Sequence, residues 1–301
     1  MILEHVFTSV PSGLNPGSRG FCTAAQTQGM TPPLVQLCES LSGYTHVFPL
    51  QSPDYVQNPA ACSHFRVTVG GRSYHLLSRV TAQPADYSGR TNKLAHHLLV
   101  PPEDTTSAGP AAEMAVPGRF LTAWEGEARL LPANRVSLSS SAEFDGPAAA
   151  WQRTAGDAGW AGALARHWLN RPDATAYLVF TPGTDLLPLF AEALRLIPPE
   201  RRWEVSFSTY LTTPPAGVDC RWRGCLPDNP LLRVAARQPG TLVIDLANPG
   251  AVPAECEDDP LVLAARTGER PAWTEEERHP PTPTARQATP TDVPVIDIPI
   301  S

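Results

Sequence analysis

Lysine is almost missing from this chain. Of 23 basic side chains in 301 residues, one is a lysine, Lys93, and the rest are arginines. A GC-rich coding bias gives that pattern, along with abundant alanine, proline and glycine. A lysine that persists under it either persists by chance or serves where a compact ammonium is needed. Long apolar runs are missing too. None approaches the ~20 residues of a membrane-spanning helix. Met1–Val10 has no basic segment and carries Glu4, so it does not read as a signal peptide. A cytoplasmic chain with reduced thiols is expected.

Nucleotide motifs are also lacking. There is no G-x-x-x-x-G-K-[ST] and no G-x-G-x-x-G after a strand, so neither a P-loop nor a dinucleotide-binding turn is read from the residues. The formal net charge of −7 gives no general attraction to nucleic acid or anionic lipid. The six cysteines (22, 38, 62, 220, 225 and 256) form no tight framework. Cys220 and Cys225 are spaced more widely than paired zinc ligands usually are. No metal or cofactor is expected.

What is present suffices for a core, with 42% hydrophobic residues. Ile2–Thr8 alternates like a strand, with Leu3, His5 and Phe7 on one face. A turn-rich loop, Ser9 to Gly20, follows, and Phe21–Thr27 resumes extended structure. Pro32–Leu41 reads as a short helix with Leu34, Leu37, Cys38 and Leu41 in one stripe. Phe65–Val80 is a hairpin around Gly70-Gly71. That turn pairs Val69 with Arg72, Val67 with Tyr74 and Phe65 with Leu76 on an apolar face. Arg66 pairs with His75, and Thr68 with Ser73, on a polar one. Leu94–Val100 fits strand or helix by period, and its shortness before Pro101-Pro102 favours strand.

A second unit follows a Ser- and Pro-rich stretch at 132–149. A helix near Ala158–Leu169 repeats Trp160, Leu164 and Trp168. A strand at Ala176–Phe180, a helix capped by Thr184 or Asp185, and a strand at Trp203–Leu211 suggest a βαβ unit. Thr241–Leu246 offers one more buried strand. The expected fold class is α+β: a mostly antiparallel β domain with short helices at 1–131, a smaller α/β domain at 150–268, and a disordered Pro-rich tail at 269–301. Within that tail, Val293–Ile300 could serve a partner as a sticky peptide.

Phe7-Thr8-Ser9-Val10, Gly13-Leu14, Gly20-Phe21-Cys22-Thr23, Gly43-Tyr44, Ser63-His64 and Gly89-Arg90-Thr91-Asn92-Lys93-Leu94-Ala95-His96-His97 carry a resemblance. Residues 1–125 resemble the N-terminal domain, second type, of bacterial GTPase-associated proteins. Residues 150–250 are more loosely similar to the middle domain of the same proteins. The resemblance implies a component of a bacterial NTP-dependent conflict or defence system, acting beside a partner GTPase and other system proteins. It implies no catalytic residue.

Three site readings follow from the residues. The 89–97 segment offers Arg90, Asn92 and Lys93 as polar contacts, with His97 or His96 facing a pocket. Both histidines cannot do so from one strand. The loop before Cys22 adds Arg19 and backbone amides suited to an anion. Arg19, Arg90, Asn92, Lys93 and His97 are thus the candidate ligand or partner contacts. Against this binding reading stand a thiol hydrolase using Cys22 with His96 or His97, and a stand-alone nucleotide or small-molecule sensor. No catalytic residue is assigned.

Overall fold

The computed structural model describes residues 1–138, 146–235 and 237–280. In chain order the elements are β1 (Leu3–Val10), β2 (Gly20–Thr27), α1 (Pro32–Ser40), β3 (Ala61–Val69), β4 (Arg72–Gln83), β5 (Asn92–Val100), α2 (Pro110–Ala115) and β6 (Arg129–Leu131). They continue with α3 (Ala149–Ala155), α4 (Gly159–Asn170), β7 (Ala176–Val179), α5 (Leu187–Leu194), β8 (Phe207–Ser208) and β9 (Trp222–Cys225). The last are α6 (Leu231–Ala235), β10 (Leu242–Asp245), α7 (Pro260–Thr267) and α8 (Glu275–Arg278). The class is α+β, and the first segment is mostly antiparallel.

The strands form one ten-stranded sheet, in the order β10-β7-β9-β8-β3-β4-β5-β1-β2-β6. The β8-to-β10 end is parallel, while β3, β4, β5, β1 and β2 pair antiparallel. The join is β8 against β3, where Ser63 pairs with Ser208 and His64 with Phe207. The two expected units therefore share a sheet.

The hairpin forms in the register read from its turn, with Val69 opposite Arg72 and Arg66 opposite His75. Gly70 and Gly71 both take positive φ, 57° and 74°, as a two-residue primed turn requires. Alternation then sorts the core. Phe65, Val67, Leu76, Leu99 and Leu3 pack under Leu34, Cys38 and Leu41 at α1. Leu77, Leu98 and Val100 join Ala111 and Met114 of α2 in a second apolar cluster, which continues into Trp151, Leu164, Phe190 and Trp222. Each such large side chain contributes roughly 1.5–3 kcal/mol when fully buried. Helices α4 and α7 cross at Gly162. A Cβ there would lie 2.4 Å from the Leu261 carbonyl oxygen and the Val262 nitrogen.

Two strand expectations are corrected. Trp203–Leu211 alternates, yet Pro199–Glu204 is a 3-10 turn and only Phe207–Ser208 is strand. Tertiary contacts hold the turn. Trp203 Nε1 donates to the Thr106 carbonyl at 2.6 Å. The Arg202 guanidinium donates to the carbonyls of Ile197, Ser107 and Arg195. Several of these are carbonyls left over near the end of α5. The βαβ crossover from β7 through α5 to β8 exists, but β9 lies between its two strands. Thr241–Leu246 is not a fully buried strand; β10 forms a sheet edge, and Val243 is exposed.

Packed structure also continues past 269, where a disordered tail was expected to begin. Trp273 is buried and donates to the Leu196 carbonyl at 2.8 Å. Arg166 of α4 bridges Asp259 and Glu277. The remainder of that tail, including Val293–Ile300, lies outside the described residues.

Candidate functional site

Strand β5 lies between β4 and β1, so its side chains alternate between two covered faces. Lys93 and His97 share one face with His5 and Phe7 of β1. The loops before β2 and β5 emerge at the same end of the sheet, since Val10 pairs with Gly20 and Gln83 with Asn92. That end gathers Lys93, Asn92, Arg90 and the Arg19 loop.

Lys93 has an unusual setting. Its Nζ lies 5.7 Å from the Phe7 ring centre and 5.2 Å from that of Phe21. The two rings stack at 6.3 Å. Among the described residues, no carboxylate or hydrogen-bond acceptor pairs with the ammonium. Partial burial pulls its pKa below the ordinary lysine value, and the ring faces supply the compensating attraction. Phe21 is 47% exposed, so one of the two rings lies open beside the cation. Arg19 is exposed and its side chain has no partner among the described residues. Arg90 donates from Nε to the Ser88 hydroxyl at 2.8 Å and sits 3.7 Å from Asp86. Hydrogen bonds from Ser88, Ser9 and the Arg90 amide hold the Asp86 carboxyl well below the usual carboxylate range.

Asn92 is engaged in pinning the strand entry. Its Oδ1 accepts from the amides of Ser9 (3.2 Å) and Lys93 (2.8 Å) and from the Thr8 hydroxyl (3.3 Å). His97 must be withdrawn as a ligand contact. It is wholly buried, and its Nε2 bonds the Ser42 hydroxyl at 2.9 Å. Ser42 donates to the Cys38 carbonyl, so the imidazole is the donor in that pair. His5 behaves alike. Its Nε2 meets Thr23 Oγ1 at 2.9 Å, and Thr23 donates to Glu39. Both Nδ1 atoms are buried, with no partner among the described residues. Burial lowers His5 to about 4 and holds His97 well below its ordinary value.

The thiol–imidazole pair is not formed. Cys22 pairs with Thr8, and so faces away from His5 and His97. Its thiol donates to the Gly20 carbonyl, and burial raises its pKa. His96 has both ring nitrogens engaged: Nε2 donates to Glu4 at 3.0 Å, and Nδ1 accepts from the Leu121 amide at 3.0 Å. Among the described residues no group of three or more His, Cys, Asp or Glu side chains could hold a metal ion.

A second concave site was missed from the sequence. It is a cleft of about 880 Å³ between the outer face of the β3–β4 hairpin and the 199–204 turn. Arg66, His75, Trp203, Glu200, Glu204 and Asp219 carry its chemistry. His64 Nδ1 donates to the Val205 carbonyl at 2.7 Å. His64 Nε2 therefore accepts, and His75 Nδ1 donates to it at 3.0 Å. His75 Nε2 is left as a lone pair. Trp203 packs edge-on against both rings, at 5.5 and 5.0 Å. Burial, and then the Arg66 charge, pull His75 down to about 4, so the ring is neutral at pH 7. The sequence carried half of this signal, in the pairing of Arg66 with His75 on the polar face. The other half needed the β3–β8 join.

Comparison with known proteins gives two matches. Residues 1–136 match the sequence profile of GTPase-associated protein 1, N-terminal domain type 2. Residues 148–248 match that of GTPase-associated protein 1, middle domain. No curated protein and no solved structure matches the chain.

Proposed function

The chain belongs to the GTPase-associated protein 1 family through its type 2 N-terminal and middle domains, and from that premise we propose that it is a non-enzymatic adaptor or sensor that docks on a partner GTPase. The setting that fits is a bacterial NTP-dependent conflict system in the cytoplasm. The observation that carries the docking surface is Lys93 held against Phe7 and Phe21, with no carboxylate partner among the described residues. A cation without an internal counter-charge, packed beside an exposed aromatic ring, suits an acidic patch on a partner protein. Aromatic anchors with a desolvated charge are the usual energetic centres of such contacts. Arg19 and Arg90 at the rim would steer the encounter more than they hold it.

The test is association with the GTPase encoded by a neighbouring reading frame, measured with GDP and with a non-hydrolysable GTP analogue. The expected result is nucleotide-dependent binding that weakens by about tenfold or more in Lys93→Met and in Phe21→Ser, each a loss of at least ~1.4 kcal/mol. No binding in any nucleotide state would overturn the proposal. Binding that both variants retain would remove this surface from it.

A further inference from the structure

The cleft beside His75 calls for a different occupant from the partner-docking end of the sheet. Its volume, about 880 Å³, falls within the range of small-molecule sites. Three features of the lining define what fits. Arg66 is exposed, and among the described residues no carboxylate or carbonyl pairs with it. Its fork is free for a carboxylate. His75 presents a fixed lone pair, because its other nitrogen is committed to His64 and, through it, to the Val205 carbonyl. A neutral imidazole acceptor welcomes a proton donor. The two imidazoles stack at 5.2 Å, and the half-buried His75 ring turns its Nε2 acceptor to the cleft with no partner among the described residues.

The rim supplies the third feature. Glu200, Glu204 and Asp219 each spend a contact on an arginine outside the lining, Arg278, Arg201 and Arg221 respectively. Each ionised carboxylate has about four lone-pair sites, so capacity remains. The three bridging arginines balance the rim's charge, so the rim offers acceptor sites and no net negative field. A simple anion would engage Arg66 and leave those acceptors unused. A zwitterion with a cationic, donor-rich side chain satisfies every part.

We propose that this cleft is a binding site for a basic α-amino acid, with the α-carboxylate on Arg66, the α-ammonium donating to His75 Nε2, and the cationic side chain directed at the Glu200, Glu204 and Asp219 rim. Arg66 and His75 are cross-strand neighbours on one face of the hairpin, so both groups enter the cleft side by side. The volume beyond them accommodates a long side chain.

Isothermal titration of the full chain with L-arginine and with L-lysine tests this assignment. Agmatine, which lacks the carboxylate, Nα-acetyl-L-arginine, which lacks the α-ammonium, and L-glutamate, which reverses the side-chain charge, are the comparison ligands. At least one of the two basic amino acids is expected to bind with submillimolar Kd. Each comparison ligand should bind about tenfold more weakly, as loss of one charge-assisted hydrogen bond implies. Arg66→Gln and His75→Gln should each weaken binding by a similar factor. Arg66 lies on the surface, so its variant should keep the wild-type circular dichroism spectrum. Absence of binding by either amino acid up to about 10 mM, a range reaching well past weak millimolar affinity, would overturn the proposal. So would an unchanged Kd in a folded Arg66→Gln variant. Neither outcome bears on GTPase docking, which uses the opposite face of the sheet.

Discussion

Lowering the pH from about 7.5 to 5 should strip this protein of a large share of its stability through buried imidazoles, not through carboxylates. His5 and His75 both sit at about 4 in the folded chain against an ordinary value of 6.5. The unfolded chain therefore takes up protons that the folded chain refuses. Their contribution is fully present above pH 6.5 and is lost as the pH falls toward 4. Each tenfold difference in proton affinity between the folded and unfolded chain is worth about 1.36 kcal/mol. At pH 5 each imidazole therefore costs about 2 kcal/mol, rising toward roughly 3.4 kcal/mol below pH 4. Together they remove about 4 kcal/mol at pH 5, against a usual total of roughly 5–15 kcal/mol. His64 and His97, also lowered by burial, add to the loss in the same direction.

Glu4 separates from them cleanly. Burial opposes its ionisation, but bonds from His96 and Arg135 outweigh that and hold it at about 2. Its contribution is present above 4.5 and is lost only below that. Urea unfolding followed by the fluorescence of the seven tryptophans, at several pH values between about 7.5 and 5, measures the slope. Near pH 5 each buried imidazole contributes about 1.2 kcal/mol per pH unit, and His5→Gln should remove one such increment. A stability that changes by less than about 1 kcal/mol over this interval would refute the reasoning.

Two further outcomes are expected. Gly162→Ala should lower stability by about 1–3 kcal/mol despite alanine's better helix propensity, because the new methyl would meet α7 backbone that cannot yield; a raised Tm would show that α4 and α7 do not cross there. In native protein at neutral pH, iodoacetamide followed by peptide mass mapping should modify only Cys22 and Cys256, and more slowly than a free thiol, while Cys38, Cys62, Cys220 and Cys225 react after denaturation. Fast, selective alkylation of Cys22 would revive a nucleophilic role for it.

Several features were legible in the residues because their causes are local. Gly70-Gly71 sets a turn, the turn sets a register, and the register puts Arg66 opposite His75. The shortness of Leu94–Val100 before Pro101-Pro102 favours a strand for β5, and in a strand His96 and His97 part company. The lone lysine is visible by counting. The helical repeat of Trp160, Leu164 and Trp168 identifies the buried side of α4. Local pattern also misled where side-chain contacts from afar outweighed it, as Trp203 and Arg202 do in fixing a turn in place of a strand.

Tertiary structure alone decided which face each strand turns to a helix and which to solvent. Alternation says that two histidines diverge, but only tertiary contacts seal them both: Ser42, arriving after α1, engages His97, while Glu4 and the Leu121 amide engage His96. The cleft depends on Val205 meeting His64 across 141 residues of chain. No periodicity encodes such a meeting, because it is fixed by the joint packing of two sheet halves and not by any stretch of sequence. The amino-acid order set the strands, turns and charges. Long-range pairing set which of those charges were buried, bonded or left open to a partner.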